Sequence, residues 1–157
     1  MGSIADRLSG KQKERLVTSS LSEGEVFRMH LGDEENVKGK NSGDDGRNKY
    51  FIIIGHDSEG NAIGFVLIDT QINPYLPDKR KDMHYPLSAK KYTFLEGINR
   101  FVDCSDFKII SNKKFTELFG KDSLKGRIQA DDLSYIKTAV AEYEDASPKL
   151  LKRFGLI

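Results

Sequence analysis

Apolar and polar residues alternate along Gly24-Glu25-Val26-Phe27-Arg28-Met29-His30-Leu31, with Val26 out of phase, and this period of two predicts a half-buried strand. Farther on, Tyr50 to Ile54 is a continuous apolar run and Asn61 to Ile72 a second, separated by the turn-rich His56-Asp57-Ser58-Glu59-Gly60. Two such runs about a turn predict a buried antiparallel hairpin. Short strands are expected at His84 to Leu87, Tyr92 to Leu95 and Arg100 to Val102. Helical signals follow. Ile109 and Ile110 lead into a helix bracketed by Asn112 as N-cap and Gly120 as its stop; Leu133, Ile136, Val140 and Tyr143 recur at helical spacing; Ser147-Pro148 and Gly155 bracket a last short helix.

Between these elements lie two polar loops. Gly32 to Asn48 carries one apolar residue, Val37, and Asn73 to Asp82 is charged and holds two prolines. Loops longer than about 12 to 15 residues inside a compact domain are usually functional or disordered. Residues 3 to 20 read as a weakly amphipathic helical appendage interrupted near Ser9-Gly10, and the last helix falls within 146–157. Several short strands followed by helices predict a single α+β domain spanning 1–157, built on a small barrel or strongly bent antiparallel sheet with N-terminal and C-terminal helices.

Composition narrows the function classes. A 157-residue chain buries roughly two-thirds of its unfolded surface, so no staple is required. The net charge of +1 means that any polyanion site must be a local patch rather than a whole-molecule field. Cys104 is the single cysteine, which excludes an internal disulfide and a cysteine-only zinc site, and with no apolar leader-like segment it points to a reducing, cytoplasmic setting. No run approaches the ~20 apolar residues of a membrane span.

The candidate chemistry sits in and beside the loops. Gly43-Asp44-Asp45-Gly46-Arg47-Asn48-Lys49 holds two acids and two bases immediately before an apolar strand, where a rigid element can hold polar groups at the rim of a core. His84 follows the second loop and, with a reference pKa near 6.5, is the natural proton shuttle. His30, His56 and His84 have no metal-ligand spacing, and no metal or other cofactor is expected. Lys79-Arg80-Lys81, with Tyr75 nearby and Lys90-Lys91 after, can track a phosphate backbone while tyrosine stacks a base.

Taken in order, these residues resemble the MazF/PemK/Kid toxin family. The likeness is carried by Gly24-Glu25-Val26 opening a strand, a long glycine- and acid-bearing loop, a base just before Tyr50-Phe51-Ile52-Ile53-Ile54, and Val66-Leu67-Ile68-Asp69-Thr70-Gln71-Ile72 ending the hairpin. His84-Tyr85-Pro86-Leu87, Phe94-Leu95, Phe101-Val102-Asp103, Gly126-Arg127-Ile128 and Asp131-Asp132-Leu133 continue it, so that it covers residues 24 to about 143.

The resemblance implies an SH3-like or CcdB-like barrel, often dimeric, that cuts single-stranded RNA without a metal and is neutralised by an antitoxin protein. It also implies a phosphate-binding arginine before the second strand and a threonine or serine at the end of the next. Arg47 is the counterpart of that arginine with Asp44 and Asp45 as the loop acids, yet gapless alignment of the apolar run places Lys49 in the slot. Asp69 aligns on the hydroxyl position with Thr70 one residue along. Alternation sets Asp69 and Thr70 on opposite faces of a strand unless a bulge intervenes. These departures keep a second reading open, a non-catalytic SH3-like module that binds protein or nucleic acid.

Overall fold

The structure is a computed structural model that describes residues 10–39 and 43–157. The elements in chain order are α1 (Gly10–Ser19), β1 (Glu25–Leu31), β2 (Arg47–His56), β3 (Ala62–Asp69), α2 (Asp78–Lys81), β4 (His84–Leu87), β5 (Arg100–Asp103), β6 (Lys108–Ser111), α3 (Asn112–Leu118), β7 (Leu124–Arg127), α4 (Ala130–Glu142) and α5 (Pro148–Arg153). The strands form one antiparallel sheet in the order β4-β5-β3-β2-β1-β7. One edge of β3 is shared, Ala62 to Phe65 pairing with β6 and Ile68 to Asp69 pairing with β5. The sheet curls strongly into a half-barrel, and the fold is α+β as the pattern predicts. Among the described residues no helix is long and apolar enough to cross a membrane.

Both faces of the sheet are covered, which explains why the hairpin strands read as continuous apolar runs rather than as alternating ones. Tyr50, Ile52, Ile54, Val66 and Ile68 pack against Ile136 and Val140 of α4 and Leu151 of α5. Phe51, Ile53, Ile63 and Phe65 join Phe27, Met29 and Leu31 of β1 on the other face, under Phe115 of α3. Val26, out of phase in the sequence, belongs to the first of these clusters.

Several expectations change. Tyr92 to Leu95 is not a strand but a 3-10 turn over Thr93–Leu95, because its carbonyls bond within three residues, Leu95 N–H donating to Tyr92 O at 3.2 Å. The N-cap of α3 is Ser111, whose hydroxyl accepts from the Lys114 N–H at 3.1 Å, and Asn112 is already helical. Gly120 follows this helix without a left-handed φ. Leu124–Arg127 is an additional strand, and the second loop contains the short helix α2. The predicted break near Ser9-Gly10 lies at the margin of the described residues, where α1 starts at Gly10.

The first polar loop is anchored at both ends. Glu35 and Val37 are buried, and the Lys108 ammonium donates to the carbonyls of Glu35 at 2.9 Å and Asn36 at 3.3 Å. On the returning side Gly46 has φ 132°, and a Cβ there would stand 2.0 Å from the Leu31 carbonyl oxygen, so only glycine lets β2 start this close to β1.

The N-terminus of α4 is fixed by a buried carboxylate. Asp132 accepts from the Tyr85 hydroxyl at 2.6 Å, from the Tyr92 hydroxyl and from Lys91 Nζ at 2.9 Å, while Tyr92 Oη accepts from the Gln129 N–H at 2.9 Å. Burial works to raise the Asp132 pKa, but the hydrogen bonds from Lys91 and the two tyrosines outweigh it and hold the carboxyl below its ordinary range. Burial together with the Asp132 hydrogen bond pushes the Tyr92 phenol up to about 12. Tyr92→Phe leaves both Asp132 and the Gln129 N–H short of a partner, so it is expected to lower stability by about 1–3 kcal/mol in urea unfolding with an unchanged m-value.

Candidate functional site

At the end of the hairpin remote from its turn, where β2 begins and β3 ends, a cleft of about 800 Å³ opens on the sheet. Its lining includes Arg28, Arg47, Lys49, Tyr50, Asp69, Thr70, Glu96, Arg100 and Lys125. A second cleft, of about 400 Å³, lies beside it and shares Arg47, Lys49, Asp69 and Gln71.

Lys49 and Asp69 stand on the wall common to both clefts. Tyr50 pairs with Ile68 in the antiparallel register, so one residue back on β2 and one residue on in β3 Lys49 meets Asp69. Their ammonium and carboxylate are directly hydrogen-bonded. Lys49 is only 8% exposed, and its stem lies on the face of β2 that carries Phe51 and Ile53. A lysine so buried is retained as a cation only when paired, and Asp69 supplies the pair. Of the two bases before the apolar run, it is Lys49 and not Arg47 that touches Asp69. Arg47, two residues earlier, is exposed on the same rim. Thr70 is exposed just past β3 and lines the larger cleft, which brings Arg47, Lys49, Asp69 and Thr70 to one opening.

The other predicted site residues do not line the larger cleft, and of them Arg80 and His84 line the smaller one. His84 Nδ1–H donates to the carbonyls of Arg80 at 2.9 Å and Lys81 at 3.2 Å, a tautomer assigned from these partners. Its Nε2 lies 3.8 Å from Asp103 Oδ1, and the side chain is 2% exposed. The expected proton shuttle is instead a packed group at the floor of the smaller cleft. Arg80, expected on the RNA backbone, donates from Nε to Ser105 Oγ at 2.9 Å and from Nη2 to Asp103 at 3.4 Å. Lys79 is held by Asp145 at 2.5 Å and Glu144 at 3.4 Å, and Lys81 is partly buried at the end of α2. Tyr75 is 93% exposed and lines neither cleft. Asp45 accepts from His30 Nε2 at 3.2 Å, and it and Asp44 are exposed loop residues outside both clefts.

Charge separates the two clefts. In the smaller one, among the described residues, Lys108 is matched by Asp106 at 3.0 Å, Arg80 by Asp103 and Lys49 by Asp69, leaving Lys38 and the shared Arg47 without a carboxylate within salt-bridge distance. In the larger one, among the described residues, Arg28, Arg47, Arg100 and Lys125 have no carboxylate partner within salt-bridge distance, and the acids on the lining are Asp69, already paired with Lys49, and Glu96. Three of those unpaired cations escape the sequence reading because no two are neighbours in the chain. Arg28 and Tyr50 face each other across β1 and β2, Arg100 comes from β5, and Lys125 is the extra residue of a bulge where Val26 opposes Gly126 and Phe27 opposes Leu124. The one available signal is Arg28 itself, a base at an exposed position of the alternating strand β1.

No known protein family matches the chain, and no curated protein matches it. The likeness described above therefore rests on the residues quoted for it.

Proposed function

We propose that the chain is an endoribonuclease of the MazF/PemK/Kid toxin kind, cutting single-stranded RNA by attack of a 2′-hydroxyl on the adjacent phosphorus. The observation that carries this reading is the direct Lys49–Asp69 pair at the mouth of a cleft whose remaining cations lack acidic partners. Internal attack needs a base for the 2′-OH proton, an acid for the departing 5′-oxygen and positive charge for the crowded phosphate. Asp69 takes the first role and Lys49 the second. Arg47 meets the phosphate with a fork suited to two oxygens, and the Thr70 hydroxyl donates to a phosphate oxygen.

In the reaction the 2′-O–P bond forms while the P–O5′ bond breaks. The 2′-OH proton moves to the Asp69 carboxylate, and a proton from the Lys49 ammonium goes to the 5′-oxygen. The products are a 2′,3′-cyclic phosphate and a free 5′-hydroxyl. Because the two side chains touch, the proton gained by Asp69 returns to Lys49 and restores the pair. The family likeness adds a homodimer and an antitoxin that covers the same loops, and the single Cys104 favours a cytoplasmic location.

One observation favours the second reading, a binding module without catalysis. Lys49 and Asp69 neutralise each other, as a pair kept only for structure would. Incubation of purified protein with mixed-sequence single-stranded RNA in EDTA decides between the two. The nuclease is expected to give cyclic-phosphate ends, with Asp69→Asn slower by ~10²-fold or more. RNA left intact by a folded protein would overturn it.

A further inference from the structure

We propose that Arg28, Tyr50 and Arg100, with Lys125 at their edge, form a second phosphate subsite that takes the phosphate next to the scissile one in a single-stranded RNA; this rests on the nuclease reading for the position of the cut. Two guanidinium groups stand over one phenol ring, Arg100 at 4.7 Å and Arg28 at 5.7 Å from its centroid. Stacking uses the face of a guanidinium and leaves its N–H edge in plane, free to donate to an anion. Arg100 Nη2 makes one long contact of 3.4 Å to the Leu95 carbonyl, and its buried Nε has no acceptor. A buried donor left without a partner is costly and rare in a folded protein. The guanidinium as a whole is therefore short of an acceptor, and a phosphate in the cleft it lines would supply one to its Nη edge.

Position and charge agree with this occupant. Tyr50 follows Lys49 in β2, so alternation puts the stack and the Lys49–Asp69 pair on opposite sides of one strand end while both open into the same cleft. The backbone of a single strand crossing that end meets the pair and the stack in succession. The four cations without carboxylate partners repel one another in the empty cleft, and a polyanion relieves that repulsion. Tyr50 is itself buried between strands, so the stack offers charge rather than a platform for a base. The subsite is accordingly indifferent to base identity and sensitive to salt.

The test uses two uncleavable 2′-O-methyl ligands, a dinucleoside monophosphate and a trinucleoside diphosphate, with inorganic phosphate and a 5′-mononucleotide as free-phosphate probes. For the unmodified chain the second internal phosphate is expected to tighten binding about tenfold and to steepen the salt dependence by about 0.7 in log–log slope. In Arg28→Ala and in Lys125→Ala, both exposed and so expected to fold, that gain and that slope change should largely vanish. A gain unchanged in both variants overturns the subsite, even if the protein cleaves RNA. A mononucleotide that binds as tightly as the longer ligand, with the same dependence on Arg28, also overturns it and makes the stack a free-nucleotide site. An absence of cleavage with the Arg28-dependent gain intact sinks the nuclease reading and leaves a two-phosphate binding groove.

Discussion

Lys49→Met is expected to slow RNA cleavage by about 10³-fold while leaving the fold intact, a larger loss than Arg47→Ala produces. The physical reason is where the two bases stand. Lys49 is buried against Asp69 and is the only base in direct contact with that carboxylate among the described residues, whereas Arg47 is exposed at the rim. Methionine keeps the length and packing of the lysine stem beside Phe51, so the change removes a proton donor rather than a core contact. Asp69 is left unpaired but partly hydrated, since its side chain is 23% exposed. Single-turnover rates on a short RNA measure the loss, with circular dichroism to verify folding. In the proposed reaction both groups serve one proton relay, and on that proposal Lys49→Met combined with Asp69→Asn should be little slower than the slower single variant. Rates that multiply, or an Arg47→Ala defect exceeding that of Lys49→Met, would return the central role to Arg47.

That assignment marks where the chain stops being legible from its order alone. The hairpin was readable because the middles of β2 and β3, Tyr50 to Ile54 and Ile63 to Ile68, are covered on both faces and so lack charged positions, and β1 was readable because Phe27, Met29 and Leu31 keep a strict alternation. Helix α4 announced itself through Ile136 and Val140, both buried on one side. The 3-10 turn at Thr93–Leu95 has the composition of a strand, and only its local hydrogen bonds distinguish it. Strand β7 is too short and too polar to show a period, since its pairing with β1 rather than burial holds it. The site divides in the same way. Lys49 and Asp69 lie in the two segments singled out beforehand, but their contact is a property of register. The run Lys79-Arg80-Lys81 looks like one patch in the sequence, yet Lys79 reaches Asp145 and Arg80 turns in to Asp103. Lys125 enters the cleft through a bulge, which no periodicity reveals.

At the opposite end of the hairpin, Asp57→Ala is expected to cost about 3 kcal/mol of stability and to leave the chemistry of the cleft unaltered at temperatures where the chain stays folded. Asp57 sits in the β2–β3 turn with its carboxylate fully buried, accepting from Arg153 Nε and Nη2 at 2.8 Å each and from the Glu59 N–H at 3.0 Å. Through this fork the turn holds α5, whose end is also fixed by the Ser58 N–H donating to the Arg153 carbonyl at 2.9 Å and by Phe154 lying over Gly55. The Arg153 hydrogen bonds lower the Asp57 pKa from 3.8 to about 2. The folded value lies below the unfolded one, so as the medium is acidified the unfolded chain takes up the proton first. The contribution is complete above about pH 4, declines between 3.8 and 2, and is gone below that. A shift of this size corresponds to about 2 kcal/mol, and the lost turn hydrogen bond supplies the remainder of the Asp57→Ala cost. Urea unfolding at pH 7 and at pH 2 measures both quantities. The difference between the original chain and Asp57→Ala should be largest at pH 7 and shrink by about 2 kcal/mol at the lower pH. Hydrogen exchange at pH 7 should show the loosening first in residues 148–153. An equal difference at both pH values would mean that the fork contributes through packing and not through charge.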